Sequence, residues 1–130
     1  MDKRPMISIV DDDESMREAI ISLMRAAGYE PEAFPCARDF LDSGQVLRTD
    51  CLIADVQMPG MSGIELHGKL VQSGKAIPTV LITAHPDEKA RELAMKAGVV
   101  CYLAKPFNED ELLDCIQTAL EMGDTRSEKS

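Results

Sequence analysis

Short apolar runs alternate with longer amphipathic segments along the whole chain. Apolar residues are almost continuous in four of the runs, which is typical of strands that are covered on both faces. A fifth run, 29–34, is weaker and contains Pro31, which suits the edge of a sheet. The predicted strands are 6–10, 29–34, 51–54, 77–82 and 99–103. Apolar residues at helical spacing predict helices over 14–27, 37–42, 64–72, 87–97 and 109–122.

The order of these elements is a strand followed by a helix, five times. Such an order predicts an α/β fold with a doubly wound, five-stranded parallel sheet covered by helices on both faces. The 130 residues suffice for one domain, which we assign to 1–122. Residues 123–130 are polar and are interpreted as a tail or the start of a linker.

Composition narrows the possible partners and the location. The net charge of −9 argues against nucleic-acid binding by this domain itself, because phosphates attract basic surfaces. No apolar run approaches the roughly 20 residues that span a bilayer. The N-terminal residues lead directly into a strand rather than a signal peptide, so we expect a cytoplasmic protein without membrane contact.

The four cysteines show no spacing that is typical of a metal site. Two of them lie inside predicted strands, where a thiol packs as a small hydrophobic group. We therefore expect reduced, structural cysteines rather than disulfides or zinc ligands. They are Cys36, Cys51, Cys101 and Cys115.

Polar residues follow the carboxyl ends of four predicted strands. In a doubly wound sheet these ends meet where the strand order reverses, and ligands bind there. An isolated buried carboxylate is costly, so the acids need a compensating partner. One lysine among several acids predicts a site for a divalent cation and a phosphate. The residues concerned are Asp11, Asp12, Asp55, Thr83 and Lys105.

Five motifs in the same order resemble the receiver domain of two-component response regulators. The resemblance covers roughly residues 5–121. Within the family, the chain is most similar to receivers that are joined to a LuxR-type helix-turn-helix domain. It implies the flavodoxin-like (βα)5 receiver fold with strand order 2-1-3-4-5. The motifs are Val10-Asp-Asp-Asp13, Asp55-Val-Gln-Met-Pro-Gly-Met-Ser-Gly63, Leu81-Ile-Thr-Ala84, Ala97-Gly98 and Tyr102-Leu-Ala-Lys-Pro-Phe107.

The resemblance implies that Asp55 accepts a phosphoryl group from a phosphohistidine of a sensor histidine kinase. A carboxylate can form such an acyl phosphate. Mg²⁺ would be held by Asp11, Asp12, Asp55 and the backbone carbonyl of Gln57, since Mg²⁺ prefers oxygen ligands. Asp12 would ligate directly, and Asp11 through water. Without a function, Asp55 would simply cap a turn, and the other acids would decorate the start of a helix.

Three further residues would respond to the phosphoryl group. Lys105 would pair with a phosphoryl oxygen, aimed by a cis peptide bond to Pro106 that the family has. Thr83 would donate its hydroxyl to the phosphoryl group, and Tyr102 would turn inward as its partner in a switch. Otherwise, Lys105 would be a solvated lysine, Thr83 an ordinary strand residue, and Tyr102 a half-buried strand tyrosine.

Two residues flank the expected phosphate entrance, and the resemblance implies an output face elsewhere. We predict that Gln57 and His85 set the rate of self-dephosphorylation, although a lone histidine commonly has no such role. The output face would comprise the fourth helix, fifth strand and fifth helix, roughly 87–120 (α4-β5-α5). Homodimerisation through this face would control transcription as the output. DNA would be bound only by an output domain absent from this chain.

Three alternatives compete with this hypothesis. A small Mg²⁺-dependent phosphohydrolase of the haloacid-dehalogenase type would carry an acid at position 57, where Gln57 cannot titrate. A flavodoxin-like FMN carrier would need a phosphate loop, and the acids at 11–13 would repel that phosphate. A receiver-like interaction module that is not phosphorylated remains open, because fold does not fix function. We expect a signalling domain and not an enzyme.

Overall fold

Five parallel strands form one sheet, and the computed structural model describes the backbone of residues 4–129 and the side chains of 4–123. The strands are β1 (Met6–Val10), β2 (Glu30–Phe34), β3 (Cys51–Asp55), β4 (Thr79–Thr83) and β5 (Cys101–Ala104). The helices are α1 (Glu14–Ala26), α2 (Ala37–Asp42), α3 (Gly63–Gln72), α4 (Glu88–Lys96) and α5 (Glu109–Lys129), with a short 3₁₀ helix at Val46–Arg48.

The strand order is β2-β1-β3-β4-β5, which confirms the predicted doubly wound fold. The chain adds β2 on one side of β1 and β3 on the other. The order therefore reverses between β1 and β3, and the ends of these two strands are the expected place for a site. Asp11 and Asp55 stand at these two ends.

Two apolar layers cover the two faces of the sheet. Successive strand residues point to opposite faces, so Leu52 packs into one layer and Ile53 into the other. The first layer contains residues of α2, α3 and α4, and the second contains residues of α1 and α5. This burial on both faces explains why β1, β3 and β4 are almost continuously apolar in sequence.

Some element boundaries differ from the prediction. The predicted strand 99–103 begins later, at Cys101, because Val99 still donates its backbone N–H to Ala94 and completes the end of α4. Gly98, with φ of +104°, allows the chain to change direction between α4 and β5.

The last helix continues to Lys129 rather than ending at Met122, since no proline stops it. The end of the domain at 122 stays a prediction. Among the described residues, no helix combines the length and the apolar character that crossing a membrane requires.

The prediction of four reduced cysteines is wrong for two of them. Cys101 of β5 and Cys115 of α5 form a disulfide. The packing of α5 against the sheet brings their Cα atoms to 6.1 Å, within the range that a disulfide requires. Their separation of 14 residues creates no local motif, so the pairing depends on the tertiary fold. Cys36 and Cys51 are free, and burial raises the pKa of the Cys51 thiol to about 12.

Reduction of the Cys101–Cys115 disulfide is expected to lower the free energy of unfolding by about 2–3 kcal/mol. The cross-link restricts the unfolded chain, and for a loop of this length the effect has this size. Urea denaturation with and without dithiothreitol measures the difference. The double variant Cys101→Ala/Cys115→Ala is the control and should not respond to dithiothreitol. Equal stabilities of the oxidised and reduced protein would contradict this expectation.

Candidate functional site

Asp55 is the last residue of β3 and is almost completely buried. Its Oδ1 accepts a hydrogen bond from the backbone N–H of Gln57 at 3.1 Å. The loop after β3 then folds back, and the start of α3 lies close to the strand end. A Cβ atom on Gly63 would lie only 2.5 Å from the backbone oxygen of Asp55, so a glycine is required there. This loop fixes the Asp55 carboxylate in one orientation.

Asp11 lies directly after β1 and is completely buried. Its Oδ1 accepts the backbone N–H of Asp13 at 2.9 Å, and its backbone oxygen accepts Nη1 of Arg17 at 2.7 Å. Asp13 caps α1 by accepting the backbone N–H groups of Ser15 and Met16. Arg17 had not been predicted to contact the site, because nothing local distinguishes it from other helix arginines. Asp12 is exposed beside them.

Lys105 brings a positive charge between the two strand ends. The Lys105–Pro106 peptide bond is cis, as the resemblance implied. Nζ of Lys105 lies 3.1 Å from Oδ2 of Asp11 and 3.1 Å from Oδ2 of Asp55. The backbone N–H of Lys105 donates to the backbone oxygen of Thr83 at 2.7 Å. One ammonium thus bridges two buried carboxylates that come from different strands.

The electrostatics of the site follow from burial and from these ion pairs. Burial raises the pKa of Asp11; the Asp13 N–H opposes this change, and the negative charge of Asp55 adds to it. Burial alone would lower the pKa of Lys105. Hydrogen bonds and charge interactions with Asp11 and Asp55 outweigh that effect, and the pKa of Lys105 is raised. Lys105 is therefore charged at neutral pH, while Asp11 bears the cost of a buried negative charge.

Asp11→Asn is expected to stabilise the fold at neutral pH when no metal is bound. The pKa of Asp11 is raised above 3.8, so the folded state holds its proton more tightly than the unfolded chain does. Ionisation of Asp11 therefore destabilises the fold as pH rises through this pKa. Asn keeps an acceptor without the charge. Urea denaturation in EDTA should show the variant as more stable at pH 7, with the difference narrowing as pH falls through the raised pKa toward 3.8.

The comparison variant for this test is Asp42→Asn, which removes an exposed carboxylate of α2. Its stability should follow that of the unmodified chain across the pH series. A difference between Asp11→Asn and the unmodified chain that widens on acidification would contradict the assigned cause.

The carboxylates are close enough to share one metal ion. One oxygen from each of Asp11, Asp12 and Asp55 lies within 4.8 Å of the others. The set contains only oxygen donors, which suits Mg²⁺ better than zinc or copper. An ammonium that already bridges two of these carboxylates shows that positive charge is favourable there. The residues present therefore fit Mg²⁺; the contribution of the Gln57 carbonyl stays a prediction.

Thr83 and Gln57 are joined by their side chains. The Thr83 hydroxyl donates to Oε1 of Gln57 at 2.6 Å and accepts the backbone N–H of His85 at 3.0 Å. Thr83 is completely buried, and Gln57 is exposed. The sequence predicts Gln57 beside the phosphate entrance and Thr83 as a donor to the phosphoryl group, but it does not predict a bond between them. No sequence pattern identifies a contact between side chains 26 residues apart.

Tyr102 lies on β5, and its side chain is half-buried. Its hydroxyl accepts the backbone N–H of Asp87, the residue before α4, at 3.3 Å. The register pairs Tyr102 with Leu81, and Thr83 with Ala104. The structure thus brings Asp11, Asp12, Asp55 and Lys105 together, while Tyr102 is bonded to the start of α4. The functions of these residues stay predictions.

Comparison with known proteins identifies the family. The family model described as "Response regulator receiver domain" matches residues 7–117. The chain is 40% identical over 129 residues to the response regulator protein TmoT of Ectopseudomonas mendocina, covering 99% of this chain and 59% of TmoT. It is 36% identical over 118 residues to the transcriptional regulatory protein FixJ of Bradyrhizobium diazoefficiens, covering 91% of this chain and 58% of FixJ.

Among solved structures, the response regulator StyR aligns with a TM-score of 0.90 and 44% identity. That alignment covers 98% of this chain and 64% of StyR. The chain thus spans less than two thirds of the length of these three relatives. The solved structure of StyR agrees with the observed fold. The chain belongs to the family of response regulator receiver domains, which are signalling domains of two-component systems.

Proposed function

We propose that this domain accepts a phosphoryl group on Asp55 from a sensor histidine kinase, with Mg²⁺ bound at the acidic cluster. The phosphorylated domain would then control an output, most directly transcription. The observation that carries the proposal is the convergence of Asp11, Asp55 and Lys105 from three separate strand ends within 3.1 Å contacts. A buried pair of carboxylates bridged by one ammonium is costly for stability alone, and a phosphoryl site gives it a use.

The chemistry would proceed at an oxygen of Asp55. That oxygen forms a bond to phosphorus while the bond from phosphorus to the imidazole nitrogen of the donor breaks, and the nitrogen keeps the electron pair. The Gln57 N–H on Oδ1 and Lys105 Nζ near Oδ2 hold the carboxylate in place for in-line attack. Lys105 would then exchange its ion pair with Asp55 for one with a phosphoryl oxygen and remain charged.

Mg²⁺ would be held by Asp11, Asp12 and Asp55 in this account. When bound, it would neutralise the clustered carboxylates and the oxygens of the incoming phosphoryl group. The protein's own contribution is to place one oxygen from each of three carboxylates within 4.8 Å of the others. It also keeps Lys105 beside them, which offsets part of their negative charge before the metal binds.

Mg²⁺ is expected to raise the melting temperature of the protein, and Asp12→Asn is expected to remove most of this rise. A ligand that binds only the folded state stabilises it, and the stabilisation grows with the logarithm of ligand concentration over Kd. Asp12 is exposed, so its replacement changes metal binding with little effect on the fold itself. Thermal denaturation with MgCl₂ or EDTA measures the effect, with Asp42→Asn as the charge-matched control. An equal rise in Asp12→Asn and in the control would contradict the assignment of Asp12.

The output surface in this proposal is α4-β5-α5, through which two phosphorylated copies would associate. Two large apolar side chains of α4 support it, because Leu93 is 61% and Met95 is 39% exposed. Tyr102, bonded to the backbone at the start of α4, would transmit the state of the site to this surface. DNA would be bound only by a separate output domain.

The acyl phosphate can be tested without the cognate kinase. Acetyl phosphate with Mg²⁺ should add the mass of one phosphoryl group to the intact protein, and EDTA should prevent the addition. The absence of any adduct with acetyl phosphate and Mg²⁺ would overturn the proposal. The phosphohydrolase alternative would instead release phosphate continuously; Gln57 offers no general acid for that reaction.

A further inference from the structure

The hydroxyl of Thr83 is fully engaged in this structure. It donates to Oε1 of Gln57 at 2.6 Å and accepts the backbone N–H of His85 at 3.0 Å. Thr83 ends β4, next to the strand that carries Asp55, because the register pairs Asp55 with Ile82. The hydroxyl that the proposed phosphoryl group would require is therefore already held by another residue.

The Thr83 hydroxyl cannot donate to Gln57 and to a phosphoryl group at the same time. A threonine hydroxyl has a single proton to donate, and a glutamine Oε1 can only accept. Phosphoryl oxygens on Asp55 would likewise only accept. The Thr83 proton cannot serve Gln57 and a phosphoryl oxygen at full strength at the same time. One hydrogen bond has to break when the other forms.

We propose that Gln57 is a positioning residue that holds Thr83 in its resting orientation by competing with the phosphoryl group for the hydroxyl proton. This inference rests on the proposed function. The bond between Gln57 and Thr83 stabilises the resting state only, so it lowers the apparent affinity for a phosphoryl group. Gln57 thereby sets how readily the switch responds, apart from any effect on the lifetime of the acyl phosphate.

The test replaces Gln57 by methionine, which has a similar length and no strong acceptor. Beryllofluoride with Mg²⁺ serves as the probe, because it mimics a phosphoryl group on a carboxylate without reacting further. Gln57→Met should bind it roughly threefold to tenfold more tightly than the unmodified chain, which is the usual worth of one hydrogen bond. Gln72→Met, at an exposed glutamine of α3, is the matched control and should bind as the unmodified chain does.

A second readout reports the orientation of Thr83 directly. The backbone N–H of His85 donates to the Thr83 hydroxyl, so its NMR resonance is sensitive to the position of that hydroxyl. In Gln57→Met without ligand, this resonance should move toward its position in the beryllofluoride-bound protein. A purely structural role of Gln57 would not move it in that direction.

A double-variant cycle gives the decisive comparison. In a Thr83→Ala background there is no hydroxyl to compete for, so adding Gln57→Met should leave the beryllofluoride affinity unchanged. The same gain with and without Thr83 would overturn the inference, and so would equal affinities of Gln57→Met and the unmodified chain. If the unmodified chain and all variants bind no beryllofluoride, the proposed function itself fails, and the inference fails with it.

Discussion

Asp55→Asn is expected to abolish phosphoryl uptake from acetyl phosphate or from a phosphorylated kinase. The amide is not nucleophilic, whereas the carboxylate at this position is the proposed acceptor. Asn keeps an oxygen that can accept the Gln57 N–H, so the loop after β3 should retain its shape. Phosphate-affinity gel electrophoresis after incubation with Mg²⁺ and acetyl phosphate measures the loss.

Asp42→Asn is the matched control for this variant, because it removes an exposed carboxylate of α2 that is not part of the acidic cluster. It should accept the phosphoryl group as the unmodified chain does. An adduct that persists in Asp55→Asn at the unmodified level would show that another residue is the acceptor.

Lys105→Met is expected to lower the rate of phosphoryl uptake by roughly a hundredfold, the usual effect of removing one charged group that stabilises a transition state. The same variant leaves Asp11 and Asp55 buried without their shared ammonium. In EDTA we therefore expect a loss of roughly 3 kcal/mol in the free energy of unfolding. Mg²⁺ should restore more stability to the variant than it adds to the unmodified chain.

The control for Lys105→Met is Lys75→Met, which removes an exposed lysine in the loop before β4. Uptake rates come from the time course of the intact mass, and stabilities come from urea denaturation with EDTA or MgCl₂. If Lys105→Met matches the control in both measurements, the bridging ammonium has neither of the assigned effects.

The sequence was sufficient to predict the sheet and the ends of its strands. Burial on both faces requires apolar residues at nearly every position of β1, β3 and β4, and this requirement is visible without coordinates. Strand ends of a doubly wound sheet converge at one edge, so Asp11, Asp55 and Lys105 could be placed together in advance. Their measured contacts agree with that placement.

Contacts set by tertiary packing could not be predicted in this way. The disulfide depends on how α5 lies against β5, and neither Cys101 nor Cys115 belongs to a local motif. The bond between Gln57 and Thr83 depends on the rotamer of an exposed side chain. In both cases the deciding information is the relative position of two elements, which periodicity does not encode.

In the resting state, the groups that would contact a phosphoryl oxygen already have hydrogen-bond or ion-pair partners. Lys105 is bound to both buried carboxylates, and the Thr83 hydroxyl is bound to Gln57. Lys105 and Thr83 would therefore have to break their present interactions before they could contact a phosphoryl oxygen. Activation would exchange these contacts for phosphoryl contacts, which limits the free energy available to drive the change at α4-β5-α5.

The central claim is that Asp55 carries the phosphoryl group. The most direct measurement is borohydride reduction of the protein after incubation with Mg²⁺ and acetyl phosphate, followed by peptide mass spectrometry. Reduction converts an aspartyl phosphate to homoserine and so marks the acceptor. The account predicts homoserine in place of Asp55 when Mg²⁺ is present and unmodified Asp55 when EDTA replaces it. Homoserine in place of any other aspartate, or at no position at all, would contradict the account.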